Sequence, residues 1–434
     1  MGAVPDILAI PYGQDTTGRN SAQMTSGDSR KRRRLNNAVA AILEPGDGAN
    51  PSGVRNPIFE IWSPGLNFRH NVAFGATRAD SDAPMTPDHQ FHIASIGKTM
   101  TATIILQMWE EGLLGDDGLD TPLAEFHALP VNAISKLHVL DGVKYGEKIT
   151  IRQMLNHSSG LKDAHIDDAD GVAADYGGPA PGSLLINFIG ATQKLAAGMG
   201  GSETEAAFKN WVPWDPQRPD DPQAGIVNYY LNQMAHAPVG LPGEQYHYSD
   251  TAYVILGLVI ERLTGESLHS QLRKRIFDPL GLDHTYLAYG SDPGPEPWES
   301  DLADFYLGSV AAVSAGLNLS FDWAGGGEVS TAGDLNRFLH GLLRDKLFQR
   351  PETLDEMTCW HALPGIAEPT VGFGLGIYQN HYTSGIEIWG HAGAWGGMMF
   401  YEPASDTYIS GSVNQVAGIP PGWEETLFQA LRPC

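Results

Sequence analysis

Ser95 and Lys98 stand three residues apart in Ser95-Ile96-Gly97-Lys98, at the head of an apolar stretch that runs from Thr99 to Leu114. If that stretch is a helix, residues three apart share a face, and the lysine stem can carry its nitrogen to the serine oxygen. A serine hydroxyl is a poor nucleophile at neutral pH and needs a neighbour to take its proton. The N-terminus of a helix also offers unpaired N–H groups to the oxyanion that such an attack creates. The spacing therefore predicts a nucleophile beside its base. Ser-x-x-Lys is a short pattern that arises by chance, so the rest of the chain has to supply the other groups of an acyl-transfer site.

Two further segments do. Tyr248-Ser249-Asp250 follows Pro242-Gly243-Glu244 and precedes the apolar run Tyr253 to Leu263, and His391-Ala392-Gly393 follows the strand-like Ile386-Glu387-Ile388-Trp389. The order and spacing of the three resemble the serine β-lactamase and penicillin-binding protein superfamily, including class C β-lactamase-like enzymes, family VIII carboxylesterases and D-aminopeptidases. Leu155-Asn156-His157-Ser158-Ser159-Gly160 and Gly326-Gly327-Glu328-Val329-Ser330-Thr331-Ala332-Gly333-Asp334-Leu335 resemble two further family segments, and the likeness covers about residues 50 to 430.

The resemblance implies that Ser95 forms an acyl-enzyme while Lys98 and Tyr248 share the proton work, with either as general base. It implies an oxyanion hole from the N–H groups of Ser95 and Ala394, with Gly393 and Trp395 on the substrate side. His391 replaces a lysine common in β-lactamases and would orient a substrate carboxylate or polarise the Tyr248 proton network. Asp250 departs from the usual Asn, whose amide donates to an acylamino carbonyl; an ionised Asp only accepts. Placed on the substrate, Asp250 disfavours penicillins and acyl-D-Ala-D-Ala and favours esters or substrates with a free amine.

Composition narrows the class. The 434 residues carry 27 basic and 51 acidic side chains, a net charge of -24, which argues against nucleic acid, anionic membranes and polyanionic substrates. The basic run Arg30 to Arg34 reads as the solvated start of a helix. Two cysteines argue against a stabilising disulfide framework, and neither a signal-peptide pattern nor a bilayer-length apolar stretch is seen. A soluble, cytoplasmic protein without metal or cofactor is expected, acting on a small-molecule ester or amide.

Residues 1 to 30 look like a flexible extension. Pro57 to Ser63 and Arg69 to Thr77, joined by Pro64-Gly65-Leu66-Asn67, predict a hairpin. The Ser95 helix is apolar all round and should be buried, which would disfavour the charged form of Lys98. His157 belongs to a structural turn, since no Gly-x-Ser-x-Gly elbow surrounds Ser158 and Ser159. Residues 163 to 240 read as an irregular insertion, a lid or substrate wall, in which Asp163, His165, Asp167, Asp168 and Asp170 form a solvated acidic loop without the calcium-loop pattern. Gly372-Phe373-Gly374-Leu375-Gly376 reads as a strand start, and further strands and a last helix close the chain. The fold class expected is α+β, β-lactamase/transpeptidase-like: a serine hydrolase domain over 31–434, with an α/β lobe from about 31–95 and 325–434 and a helical lobe from about 96–324. The function expected is carboxylesterase-like hydrolysis. A D-amino-acid amidase or peptidase, or a weak β-lactamase, is the enzymatic alternative. A penicillin-recognising sensor or structural protein is the alternative of another class, against which the intact Ser95, Lys98 and Tyr248 argue.

Overall fold

The computed structural model describes residues 26–43, 54–167, 182–234, 238–289, 302–344, 346–416 and 422–432. The hairpin forms as expected: β1 (Ile58–Ser63) pairs antiparallel with β2 (Phe68–Ala73), and Asn67 closes the turn in the left-handed region at φ 47°. Five strands come from the other end of the chain: β3 (Thr370–Phe373), β4 (Tyr378–His381), β5 (Glu387–Gly393), β6 (Gly397–Glu402) and β7 (Thr407–Ser412). They run as an antiparallel meander, and β7 then pairs with β1, giving the order β3-β4-β5-β6-β7-β1-β2. The two chain ends thus share one sheet, and the mixture of sheet and helices bears out the α+β class.

Alternation along the strands sorts two cores. Phe59, Ile61, Phe400 and Ile409 face a layer made by α1 (Ser26–Leu43) and the C-terminal helix Trp423–Gln429, where Leu35, Val39, Leu427 and Phe428 are fully buried. Ile58, Met399 and Tyr408 face the larger core on the other side. The basic run lies on α1, where Arg32 donates to Arg69 O (2.9 Å) and Arg34 to Arg432 O (2.6 Å), so it ties this helix to both chain ends.

The larger core surrounds α2 (Gly97–Glu110), buried on all sides from Gly97 to Met108 as its all-round apolar pattern predicts. Beside it lies α3 (Asp250–Thr264), started by Ser249, whose side chain accepts from Ala252 N (3.2 Å), and ended by Gly265 at φ 68°. Among the described residues between the two sheet-forming stretches, the regular structure is mostly helical. Part of the region expected to be irregular is helical too: Leu184–Ala196, capped by Ser183, and Ile226–Gln233. Gly190 and the β-branched residues of the first blurred its period in sequence. No described helix is long and apolar enough to cross a membrane.

Candidate active site

Ser95 lies in a single 3₁₀ turn, Ala94–Ile96, that runs directly into α2, so the nucleophile candidate stands at a helix N-terminus as predicted. Ala94 takes the left-handed φ of 48°. Two glycines let other backbone approach this turn. A Cβ on Gly326 would lie 2.3 Å from Ala94 C, and one on Gly393 would lie 2.2 Å from Ile93 O. The end of β5 is therefore pressed against the nucleophile turn.

Lys98 Nζ donates to Ser95 Oγ (3.0 Å), to Gly325 O (2.7 Å) and to Asp250 Oδ1. Three acceptors use the full complement of an ammonium. The side chain is completely buried, and what makes this tolerable is the Asp250 carboxylate. Burial alone works against ionisation of Asp250, but Lys98 and His165 outweigh it and hold its carboxyl below the usual range. Asp250 lines the cleft, yet one of its oxygens belongs to the lysine rather than to a substrate.

The expected solvated acidic loop is corrected here. Asp163, His165 and Asp167 are buried, and they continue the lysine's network inward. His165 Nδ1 lies 3.4 Å from Asp163 Oδ1 and 3.9 Å from Asp250 Oδ2, while its Nε2 donates to Phe321 O (2.8 Å). Burial opposes charging of His165, but Asp250 and Asp163 raise it to about 9. Asp167 Oδ2 meets His247 Nε2 at 2.6 Å and accepts from Asp163 N at 2.8 Å. Asp168 and Asp170 fall outside the described residues. Asp163, His165 and Asp250 bring ligand atoms within 4.8 Å of one another, a separation a metal could span. The donor set does not fit that use, because Asp250 already answers a buried ammonium and His165 is held as a cation.

Tyr248 completes the triad. Lys98 Nζ lies 4.9 Å from the centre of its ring. Burial, and then the Asp250 charge, push its phenol well above the usual value, opposed by a hydrogen bond with Ser95. His157 stacks on the ring, 4.3 Å between centroids, and its Nδ1 accepts from Ser249 N (3.1 Å). The structural-turn reading of His157 holds, and the turn has a use: it backs the tyrosine. Ser158 donates to Asn156 Oδ1 (2.7 Å) within that turn.

His391 lines the cleft with its ring 6.4 Å from that of Tyr248. Nδ1 donates to Ala392 O (2.7 Å), and burial, with Lys98 nearby, lowers its pKa to about 3. The imidazole is neutral, so Nε2 carries a lone pair and no proton; it is buried and has no partner. Such an atom accepts. As an acceptor it matches the second of the two roles expected for His391, in the Tyr248 proton network, rather than the first. The cleft, about 450 Å³, is lined by Ser95, Ala394 and Trp395, by the aromatic wall Tyr246, Phe373 and Tyr378, and by Ile166 and Leu185 of the insertion.

A family model described as Beta-lactamase matches residues 67–431. The chain belongs to the β-lactamase family. Penicillin-binding protein 4 of Amycolatopsis lactamdurans is 26% identical over 247 residues, covering 53% of this chain and 49% of that protein. The mitochondrial serine β-lactamase-like protein LACTB of Homo sapiens is 25% identical over 310 residues, covering 65% and 51%. The chain spans about half the length of these curated relatives. A D-stereospecific amidohydrolase from Streptomyces sp. superposes with a TM-score of 0.65 at 25% identity, covering 93% of this chain and 98% of that one. EstCE1, described as a hydrolase with promiscuous acyltransferase activity, shares the fold at a TM-score of 0.67 and 19% identity, covering 94% and 100%.

All eight residues expected at a β-lactamase-family site, Ser95, Lys98, Tyr248, Asp250, His391, Gly393, Ala394 and Trp395, meet at this one cleft; Lys98 lies beneath Ser95 and the other seven line it. Missed in sequence were the buried partners Asp163 and His165, and Asp322, which lines the cleft beside His165. Asp322 carries no local signal beyond standing ahead of the Gly325-Gly326-Gly327 run.

Proposed function

We propose that this chain is a serine hydrolase that forms an acyl-enzyme at Ser95 and acts, like a carboxylesterase, on small acyl esters. The observation that carries the reading is Lys98 Nζ at 3.0 Å from Ser95 Oγ, beneath a serine that lines a cleft with aromatic walls. In the form of the enzyme in which the Lys98–Tyr248 unit has lost one proton, Ser95 Oγ bonds to the carbonyl carbon as its own proton passes to that unit; the same unit returns a proton to the departing alkoxide as the ester C–O bond breaks. The N–H groups of Ser95 and Ala394 are assigned to the oxyanion. Water then attacks the acyl-enzyme by the same route in reverse. An acceptor at His391 Nε2 and a carboxylate at Asp250 favour an ester over a penicillin, which brings a carboxylate and an acylamino carbonyl.

A second reading, a D-amino-acid amidase, is favoured by the acidic end of the cleft and by the likeness to the Streptomyces amidohydrolase. A fluorophosphonate should label Ser95, and Ser95→Ala should abolish labelling together with hydrolysis of p-nitrophenyl butyrate. Labelling at Ser158 or Ser159 instead would overturn the assignment. Faster turnover of a D-amino-acid p-nitroanilide or of nitrocefin than of the ester would replace the substrate class.

A further inference from the structure

Residues 162–164 are fastened to the first turn of α3 on both sides of Asp250. Ser249 Oγ donates to Lys162 O (3.1 Å), and Ala164 N donates to Thr251 Oγ1 (2.9 Å). Asp163, between the two ties, is completely buried, and its carboxyl group meets that of Asp250 in a side-chain hydrogen bond. Two ionised carboxylates have no proton to share, so one of the pair holds one.

The surroundings decide which. Asp250 accepts from the Lys98 ammonium, and against the cost of burial Lys98 and His165 keep it ionised. Asp163 Oδ1 accepts from His165 N (2.8 Å), but no donor reaches Asp163 Oδ2, which is buried. Such an oxygen is costly as part of a carboxylate and satisfied as O–H. Burial, and then the Asp250 charge, raise the Asp163 carboxyl to about 6, with His165 opposing. The other charged and titratable groups around it have their own places. His165 Nδ1 stands 3.4 Å from Asp163 Oδ1, Asp167 Oδ2 accepts from Asp163 N and meets His247 Nε2, and Asp322 lies 4.0 Å from His165 Nε2. Tyr248 is held as the neutral phenol.

We propose that Asp163 is a positioning residue for the proton transfer: its carboxyl O–H donates to Asp250, so that one partly neutralised carboxylate faces Lys98. This rests on the acyl-enzyme reading above. A bare carboxylate at position 250 would bind the Lys98 proton tightly. An aspartate that shares its charge with an acid behind it still holds the lysine in place, yet lets the Lys98–Tyr248 unit lose the one proton that attack by Ser95 requires.

The test is the rate at which a fluorophosphonate labels Ser95, followed against pH. Asp163→Leu has nearly the same shape and no proton to give. The undamped Asp250 charge should then move the acid limb of the profile to higher pH by about 0.5 to 1 unit, the worth of one hydrogen bond. Asp163→Asn donates without charge and should bring the limb back to within about 0.3 unit of the unaltered protein. Every other pattern overturns the proposal: both limbs at lower pH would show an ionised Asp163, both in place a structural part alone, and both at higher pH that the donor is not what counts. If the leucine variant does not fold, infrared difference spectra at pH 5 decide. The C=O band of one carboxylic acid should be lost in Asp163→Asn, and its persistence overturns the proposal. A chain whose Ser95 takes no label loses the acyl-enzyme reading as well, whereas a labelled chain with a fixed limb loses only this one.

Discussion

Asp250 shows how one substitution in a family motif changes both charge and hydrogen bonding. Its Oδ1 accepts from Lys98, as the oxygen of an asparagine also could, but its Oδ2 offers a lone pair where an amide would offer N–H. It also stabilises the charged form of the Ser95–Lys98–Tyr248 unit. Asp250→Asn removes that counter-charge and should move the acid limb of the kcat/KM profile to lower pH by about 1 unit or more, the scale of a contacting opposite charge. The new amide should raise the rate for nitrocefin relative to p-nitrophenyl butyrate by a factor of roughly 2 to 13, the worth of one hydrogen bond. Both readouts come from one set of rate–pH profiles. A limb that stays in place would mean that Lys98 does not take part in the proton transfer.

The elements matter through how closely they meet. α2 brings Ser95 and Lys98 one turn apart, α3 brings Asp250 under them, and β5 brings Gly393 and Ala394 to the other side of the nucleophile turn. Gly393 lets β5 make that approach, since a Cβ there would sit 2.2 Å from Ile93 O. Backbone cannot yield as a flexible side chain does. Gly393→Ala should therefore displace the oxyanion donors and lower kcat/KM by about 100-fold, the scale of an ångström of misplacement. Circular dichroism should show the fold retained. Unchanged turnover would mean that the strand end can shift without disturbing the reacting groups.

At the scale of the whole molecule, the core contains a carboxyl group with a measurable signature. Glu328 is fully buried, neither of its side-chain oxygens has a partner, and burial pushes its pKa up to about 8. Between about pH 4.5 and 8 the folded state holds a proton that the unfolded state has lost, so stability falls as pH rises through that window. Above it the loss is complete. Glu328→Gln mimics the protonated group and should raise Tm at pH 8.5 while changing it little at pH 5, through a difference on the order of a few kcal/mol. Thermal melts at the two pH values check this. An equal shift at both would show that Glu328 does not titrate in the core.

The local patterns were legible because they are local. Apolar residues on every face of the Thr99 to Leu114 stretch demand burial, Ser249 and Gly265 bound α3, and alternation with a turn at Asn67 makes the hairpin. The three motifs, widely separated in the chain, also pointed to one site once their resemblance was seen, and the family and the α+β class followed. What the sequence could not determine was the partner of each charge. Asp163 and His165 sit in a run of acids that reads as solvated, and only packing takes them out of water and sets them against Lys98 and Asp250. His391 is neutral, and an acceptor, because folding buries it and turns Nδ1 to a neighbouring carbonyl. Asp322 has no periodicity or motif to mark it; it reaches the cleft because the segment before the glycine run folds over His165. Secondary structure follows from residue spacing, which the chain itself carries, whereas protonation and pairing depend on desolvation and on distances across the fold, and these arise only when remote segments meet.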